Sequence, residues 1–281
     1  MQRLLLLATC AALLTAQPSR ALRPRDPVRI PTPAKDYTFE QLWNPPPPAN
    51  ERYYMIVFGS QSKPKLARFT HTWVTVVRAT WTDGQAEPAI CTDTISWMPA
   101  TLRIHTLSRH TEPGVNLCLE ESIRVMKSKG EQVAMWGPYE LRHNVYRRFL
   151  IQKAFMDSGA VGYQCIDKRG EAGRTGDGCD CIHAITDVDP IYDRRRYPLR
   201  INGEAASLEI VQQLARRGTL VEGPKEQEWL RTRLGLDCDG IVQRHYCGPV
   251  NDKIAPEHLP YYFGGAIPSD QKSPDVKSPP R

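Results

Sequence analysis

Apolar and polar positions divide the chain into a β-rich first part and a helix-rich second part. Residues 53–60 are an aromatic and β-branched run stopped by glycine, which predicts a strand. Residues 70–80 are rich in Thr and Val and predict a second strand. Thr82-Asp83-Gly84-Gln85 is a hairpin signal, and residues 89–98 predict a third strand closed by Pro99. Short turns between three strands imply an antiparallel sheet. A helix is expected near 117–129, ended by Gly130. Residues 132–136 read as a short strand stopped by Gly137-Pro138, and residues 139–159 carry helical spacing up to Gly159. A short strand is expected at 163–166. Residues 205–217 form an amphipathic pattern, 220–222 a brief strand, 225–234 a further helix and 241–242 an extended piece. The fold class is therefore α+β, an antiparallel sheet with flanking helices.

The ends have a different character. Arg3, the apolar run from Leu4 to Leu14 and the small residues Thr15-Ala16 make residues 1–16 a signal peptide. That run is too short to span a bilayer, and no other segment predicts a membrane span. The expectation is export to a secreted or periplasmic location. Cys10 after Leu7-Ala8-Thr9 gives a weak lipoprotein signal. Residues 17–50 are a Pro-rich arm ending in Pro45-Pro46-Pro47-Pro48, and 264–281 are polar with two Ser-Pro pairs, expected to be disordered. Between them lie a core at 51–190 and a helical extension at 191–263 expected to pack on it. No internal repeat is present.

With 281 residues the chain is long enough to bury a sizeable core. The net charge of +6 is spread out, and Arg194-Arg195-Arg196 is too short a basic stripe for nucleic-acid binding. Of eight cysteines, removing Cys10 with the leader leaves seven. An odd number in an oxidising compartment leaves one thiol outside a disulfide, as a nucleophile would be. Cys238 with Cys247, and then Cys165 with Cys179, are the expected disulfides.

The candidate thiol is Cys181. A Gly-rich charged run at 170–178 leads to Cys179-Asp180-Cys181-Ile182-His183, after which the chain turns apolar. Asp180 fits a helix N-cap, which makes Cys181 the first helical residue. Backbone N–H groups and the helix dipole there favour a thiolate and a lowered pKa. Cysteine attack on an amide or ester needs a base and a group orienting that base. His71, at a strand start, is the candidate base. Ser96 or Thr94, which share one face of the next strand, is the candidate orienter; Asp93 faces the other way.

His71-Thr72-Trp73-Val74 resembles the His-Trp-containing strand of lecithin retinol acyltransferase-like proteins. Asp180-Cys181-Ile182-His183-Ala184-Ile185 is similar to their Asn-Cys-x-His segment, and the same His-first order occurs in permuted NlpC-like amidases and peptidases. The resemblance covers two short motifs within about 53–190. It implies a circularly permuted papain-like fold, attack by Cys181, base catalysis by His71, and a polar residue mapping near Ser96 where that family often has His. Asp180 replaces the family's Asn, and a carboxylate beside the thiol opposes thiolate formation.

Trp73, His183, Trp136 and Tyr139 are the candidate substrate contacts. Core packing is the default for Trp136 and Tyr139, and His183, two residues after Cys181, supports the helix start or lines the pocket. Cys179, Cys181 and His183 fit no common zinc spacing, and no phosphate loop is present, so no metal or cofactor is expected. The functional expectation is an exported cysteine hydrolase or acyltransferase acting on a cell-wall peptide, another amide or a lipid ester. The alternative is a non-catalytic, disulfide-stabilised secreted binding protein.

Overall fold

Residues that prefer extended backbone form the centre of the molecule. A computed structural model describes residues 48–108, 110–166, 178–189, 202–237 and 240–251. Strand β1 (Glu51–Gln61) and strand β2 (Thr70–Thr80) pair antiparallel along their whole lengths, from Glu51 opposite Thr80 to Gln61 opposite Thr70. Strand β3 (Ala89–Ile95) adds antiparallel to β2, with Val74 opposite Ile95. The predicted third strand breaks at Ser96, and β4 (Trp97–Pro99) turns away to pair with β5 (Gly114–Asn116). Helix α1 (Leu119–Ser128) follows.

Strand β6 (Gln132–Glu140) is longer than the sequence suggested. Gly137-Pro138 does not end it: Gly137 takes φ 91°, a region open to glycine, and β1 absorbs the irregularity by a register shift between Met55 and Val57. The next helix, α2 (His143–Asp157), therefore starts after Tyr139 and Glu140, which remain in the strand. A two-residue β7 (Gly162–Tyr163) pairs parallel with β8 (Gly178–Cys179). Helix α3 (Cys181–Thr186) follows directly. Helix α4 (Glu204–Arg216) and the short α5 (Glu228–Arg233) fall where the pattern placed helices. Residues 220–222 form no strand; Leu220 makes only an isolated bridge to Leu141. Strand β9 (Ile241–Arg244) joins the main sheet parallel to β6.

The main sheet has the order β3-β2-β1-β6-β9 and is antiparallel except for its last pair. The fold is thus α+β with a mostly antiparallel sheet. Its C-terminal part is more than a helical extension, because β9 is an edge strand of the core sheet. Among the described residues, no helix is long and apolar enough to cross a membrane. The leader 1–16, most of the arm 17–50, nearly all of the Gly-rich run, Arg194-Arg195-Arg196, Cys238 and the tail 264–281 lie outside the described residues.

Strand alternation sorts the side chains of β2 between two cores. Trp73 packs with Phe58, Met98, Leu119 and Met126 on one face. Val74 and Val76 pack with Cys179, Ala184, Ile185, Ile210 and Val211 on the other, where α3 and α4 lie. Helix α4 sits close to the strands: Ser207 Oγ donates to the Phe58 carbonyl at 2.6 Å. A Cβ on Gly59 would lie 2.6 Å from that Oγ and 2.8 Å from Glu204 Cα, so only glycine admits the helix at this distance.

Candidate functional site

Asp180 caps α3 as the sequence indicated. Its Oδ1 accepts from the backbone N–H groups of Ile182 and His183 at 2.9 and 2.8 Å. Its Oδ2 meets His183 Nδ1 at 2.8 Å, which commits that ring to the cap. The helix start is held from two further sides. Trp97 Nε1 donates to the Cys179 carbonyl at 3.1 Å, and Gln152 Nε2 donates to the Ala184 carbonyl at 3.1 Å.

Cys181 is partly exposed and stands at the first position of this helix. Its thiol pKa is nevertheless pushed well above the ordinary cysteine value. Burial around the sulfur is the largest cause, and the Asp180 carboxylate is the second. Backbone hydrogen bonds from Thr72 and from Cys181 itself act in the opposite direction but do not prevail. The expectation of a thiol acidified by the helix start is thus overturned: a six-residue helix has little dipole to offer, and its cap brings a negative charge.

His71 is 1 % exposed. Its Nε2 lies 2.9 Å from Ser96 Oγ, and its ring stacks on Trp73 with centroids 5.4 Å apart. Burial, with a smaller contribution from the Lys129 ammonium, lowers its pKa from 6.5 to about 3, so the ring is neutral. Thr94 bonds Thr75 Oγ1 at 3.0 Å instead, which leaves Ser96 as the residue holding the imidazole. The break between β3 and β4 positions Ser96, whose N–H donates to Asn116 Oδ1 at 3.1 Å.

Two members of the expected site are therefore joined, His71 and Ser96. Cys181 comes to the same end of β2, where its sulfur meets the backbone of Thr72, the residue after His71. No hydrogen bond links it to the imidazole. His71 Nδ1 is buried and without a hydrogen-bond partner among the described residues. The reason is alternation: His71 shares the face of Trp73, whereas α3 packs on the face of Val74.

The other expected contacts are core residues. Trp73 and Tyr139 are fully buried, and Trp136 and His183 nearly so, which leaves no groove wall among them. No disulfide occurs among the described cysteines, so Cys165 and Cys179 are not joined. The pairing of Cys238 with Cys247 falls outside the described residues. No group of His, Cys, Asp and Glu among the described residues is arranged to hold a metal ion.

Some neighbours carried no readable signal. Ser60, opposite His71 in the β1–β2 register, donates to the buried Glu131 carboxylate at 2.6 Å. Tyr163 hydrogen-bonds Cys165, and both act on the charge environment of Cys181 or share it. A cleft of about 620 Å³ lies elsewhere, lined by Trp81, Trp229, Glu87 and Arg233. Compared with family models, with curated proteins and with solved structures, the chain matches none.

Proposed function

We propose that the end of β2 and the start of α3 form the site of a cysteine hydrolase or acyltransferase, with Cys181 as nucleophile and His71 as base. The observation that carries this reading is the buried, unpartnered Nδ1 of an imidazole whose Nε2 is already held by Ser96. A buried polar atom without a partner is costly and calls for an explanation. It lies one residue from the backbone that receives the Cys181 sulfur. Neutral thiol and neutral imidazole are the resting forms. The proton would pass from Cys181 Sγ to His71 Nδ1 only as the sulfur attacks the carbonyl, and would then go to the leaving amine or alkoxide. This requires the sulfur to come within hydrogen-bond reach of Nδ1 when substrate binds. The substrate class is an amide of the cell-wall peptide type or a lipid ester, and a permuted papain-like arrangement and export of the mature chain belong to the same reading.

A second reading, a non-catalytic binding protein, is favoured by two observations. The thiol is strongly de-acidified, and His71 and α3 occupy opposite faces of β2. Alkylation of the native, reduced protein by iodoacetamide separates the two. The enzyme reading expects Cys181 to be labelled at neutral pH and His71→Ala to slow that labelling by roughly tenfold or more. Equal labelling in both proteins would remove His71 from the mechanism. No labelling of Cys181 in either would leave the binding reading.

A further inference from the structure

The partner that the fold brings to Cys181 is another thiol. Strands β7 and β8 pair parallel with Gly162 opposite Gly178 and Tyr163 opposite Cys179. The Gln164 N–H continues the ladder by donating to the Cys179 carbonyl at 3.1 Å. Beyond that ladder Cys165 follows Gln164 and Cys181 opens α3 after its cap Asp180, and Cys165 is among the groups whose charge acts on the Cys181 thiol. A disulfide spans Cα separations of about 4.4–6.8 Å, and the paired strands that lead to the two cysteines run about 4.8 Å apart. Cys165 also packs against the core that contains Tyr163, Cys179 and Ala184, on the α3 side of the sheet. Both residues are partly exposed, while burial raises the pKa of each thiol.

We propose that Cys165 and Cys181 form a reversible disulfide, and that this pair, rather than Cys165 with Cys179, is the redox-active site of the molecule. The oxidant is a small-molecule disulfide. One protein thiolate attacks a sulfur of the reagent, breaks its S–S bond and releases one small thiol, leaving a mixed disulfide. The second protein thiolate then attacks the protein sulfur of that intermediate and releases the other small thiol. Two protein thiols are oxidised, one external disulfide is reduced, and the two protons end on the released thiols. That the bond silences a Cys181 nucleophile rests on the hydrolase reading; the bond itself does not.

The test incubates the native full-length protein with oxidised glutathione, then maps its cysteines by digestion and mass spectrometry with and without dithiothreitol. The expected result is a Cys165–Cys181 cross-linked peptide that disappears on reduction. Iodoacetamide labelling of Cys181 falls by roughly tenfold or more on oxidation and returns with dithiothreitol. In Cys165→Ser no cross-link to Cys181 forms, and Cys181 is recovered as a thiol or carrying glutathione. The reduction cycle of the unmutated protein keeps the test valid should that variant fold poorly. Recovery of Cys181 joined to another cysteine, or glutathionylated while Cys165 stays reduced, overturns the proposal, and so does an unmodified Cys181. A cross-link that forms while His71→Ala leaves labelling of the reduced protein unchanged removes the Cys–His mechanism and keeps the thiol pair.

Discussion

The chemistry of single residues here is set by burial more than by charge. His71 has a folded pKa of about 3 against 6.5 for the ordinary ring. The unfolded chain binds a proton there that the folded protein refuses. The stabilisation is complete above about pH 6.5 and is lost as the pH falls from there towards 3. Urea midpoints across that range are expected to decline less steeply for His71→Gln than for the native sequence; parallel curves would disprove the assignment. Asp180 works in two directions, as a cap and as a charge that de-acidifies Cys181. Asp180→Asn keeps an acceptor for the helix N–H groups and removes the charge, so labelling of Cys181 at neutral pH should rise severalfold with little change in melting temperature. Asp180→Ala should cost about 1 kcal/mol of stability. The choice between Thr94 and Ser96 was beyond the sequence, because alternation puts both on one face. Only the break after Ile95 separates a Thr94 paired with Thr75 from a Ser96 paired with His71.

At the scale of elements, β2 was legible because its Thr and Val run has one sensible conformation, and the α3 cap was legible because Asp180 stands immediately before an apolar run. Strand β6 was misread at Gly137-Pro138, where turn-forming residues lie inside a strand and the irregularity is taken up by its neighbour. Strand β9 was foreseen only as an extended piece, since parallel pairing with a strand a hundred positions earlier leaves no local trace. The face relation between His71 and α3 depends on which side of the sheet a distant helix chooses, and no two-motif pattern encodes that. The contact of α4 with β1 rests on Gly59. Gly59→Ala forces a methyl against Ser207 Oγ and the Glu204 backbone, and is expected to cost about 1–3 kcal/mol in urea unfolding. An unchanged midpoint would mean that α4 is not held as closely as described.

For the whole molecule, the order β3-β2-β1-β6-β9 means that residues from both halves of the chain complete one sheet. Removing residues 238–281 takes away β9 and leaves the β6 backbone from Val133 to Trp136 without its neighbour. An unpaired strand edge invites pairing with another chain. The shortened protein should therefore self-associate in a concentration-dependent manner and melt at lower temperature. Light scattering that finds it monodisperse, with unchanged melting, would show that β9 contributes little.

The meeting of Cys181 with Thr72 joins positions on either side of most of the described chain. A ribosome-bound chain that has not yet emitted α3 carries β2 but no thiol beside it. Until α3 packs on β2, Cys181 behaves as an ordinary solvent-bathed cysteine and is open to any oxidant it meets. Packing of α3 on β2 is thus what hides this sulfur.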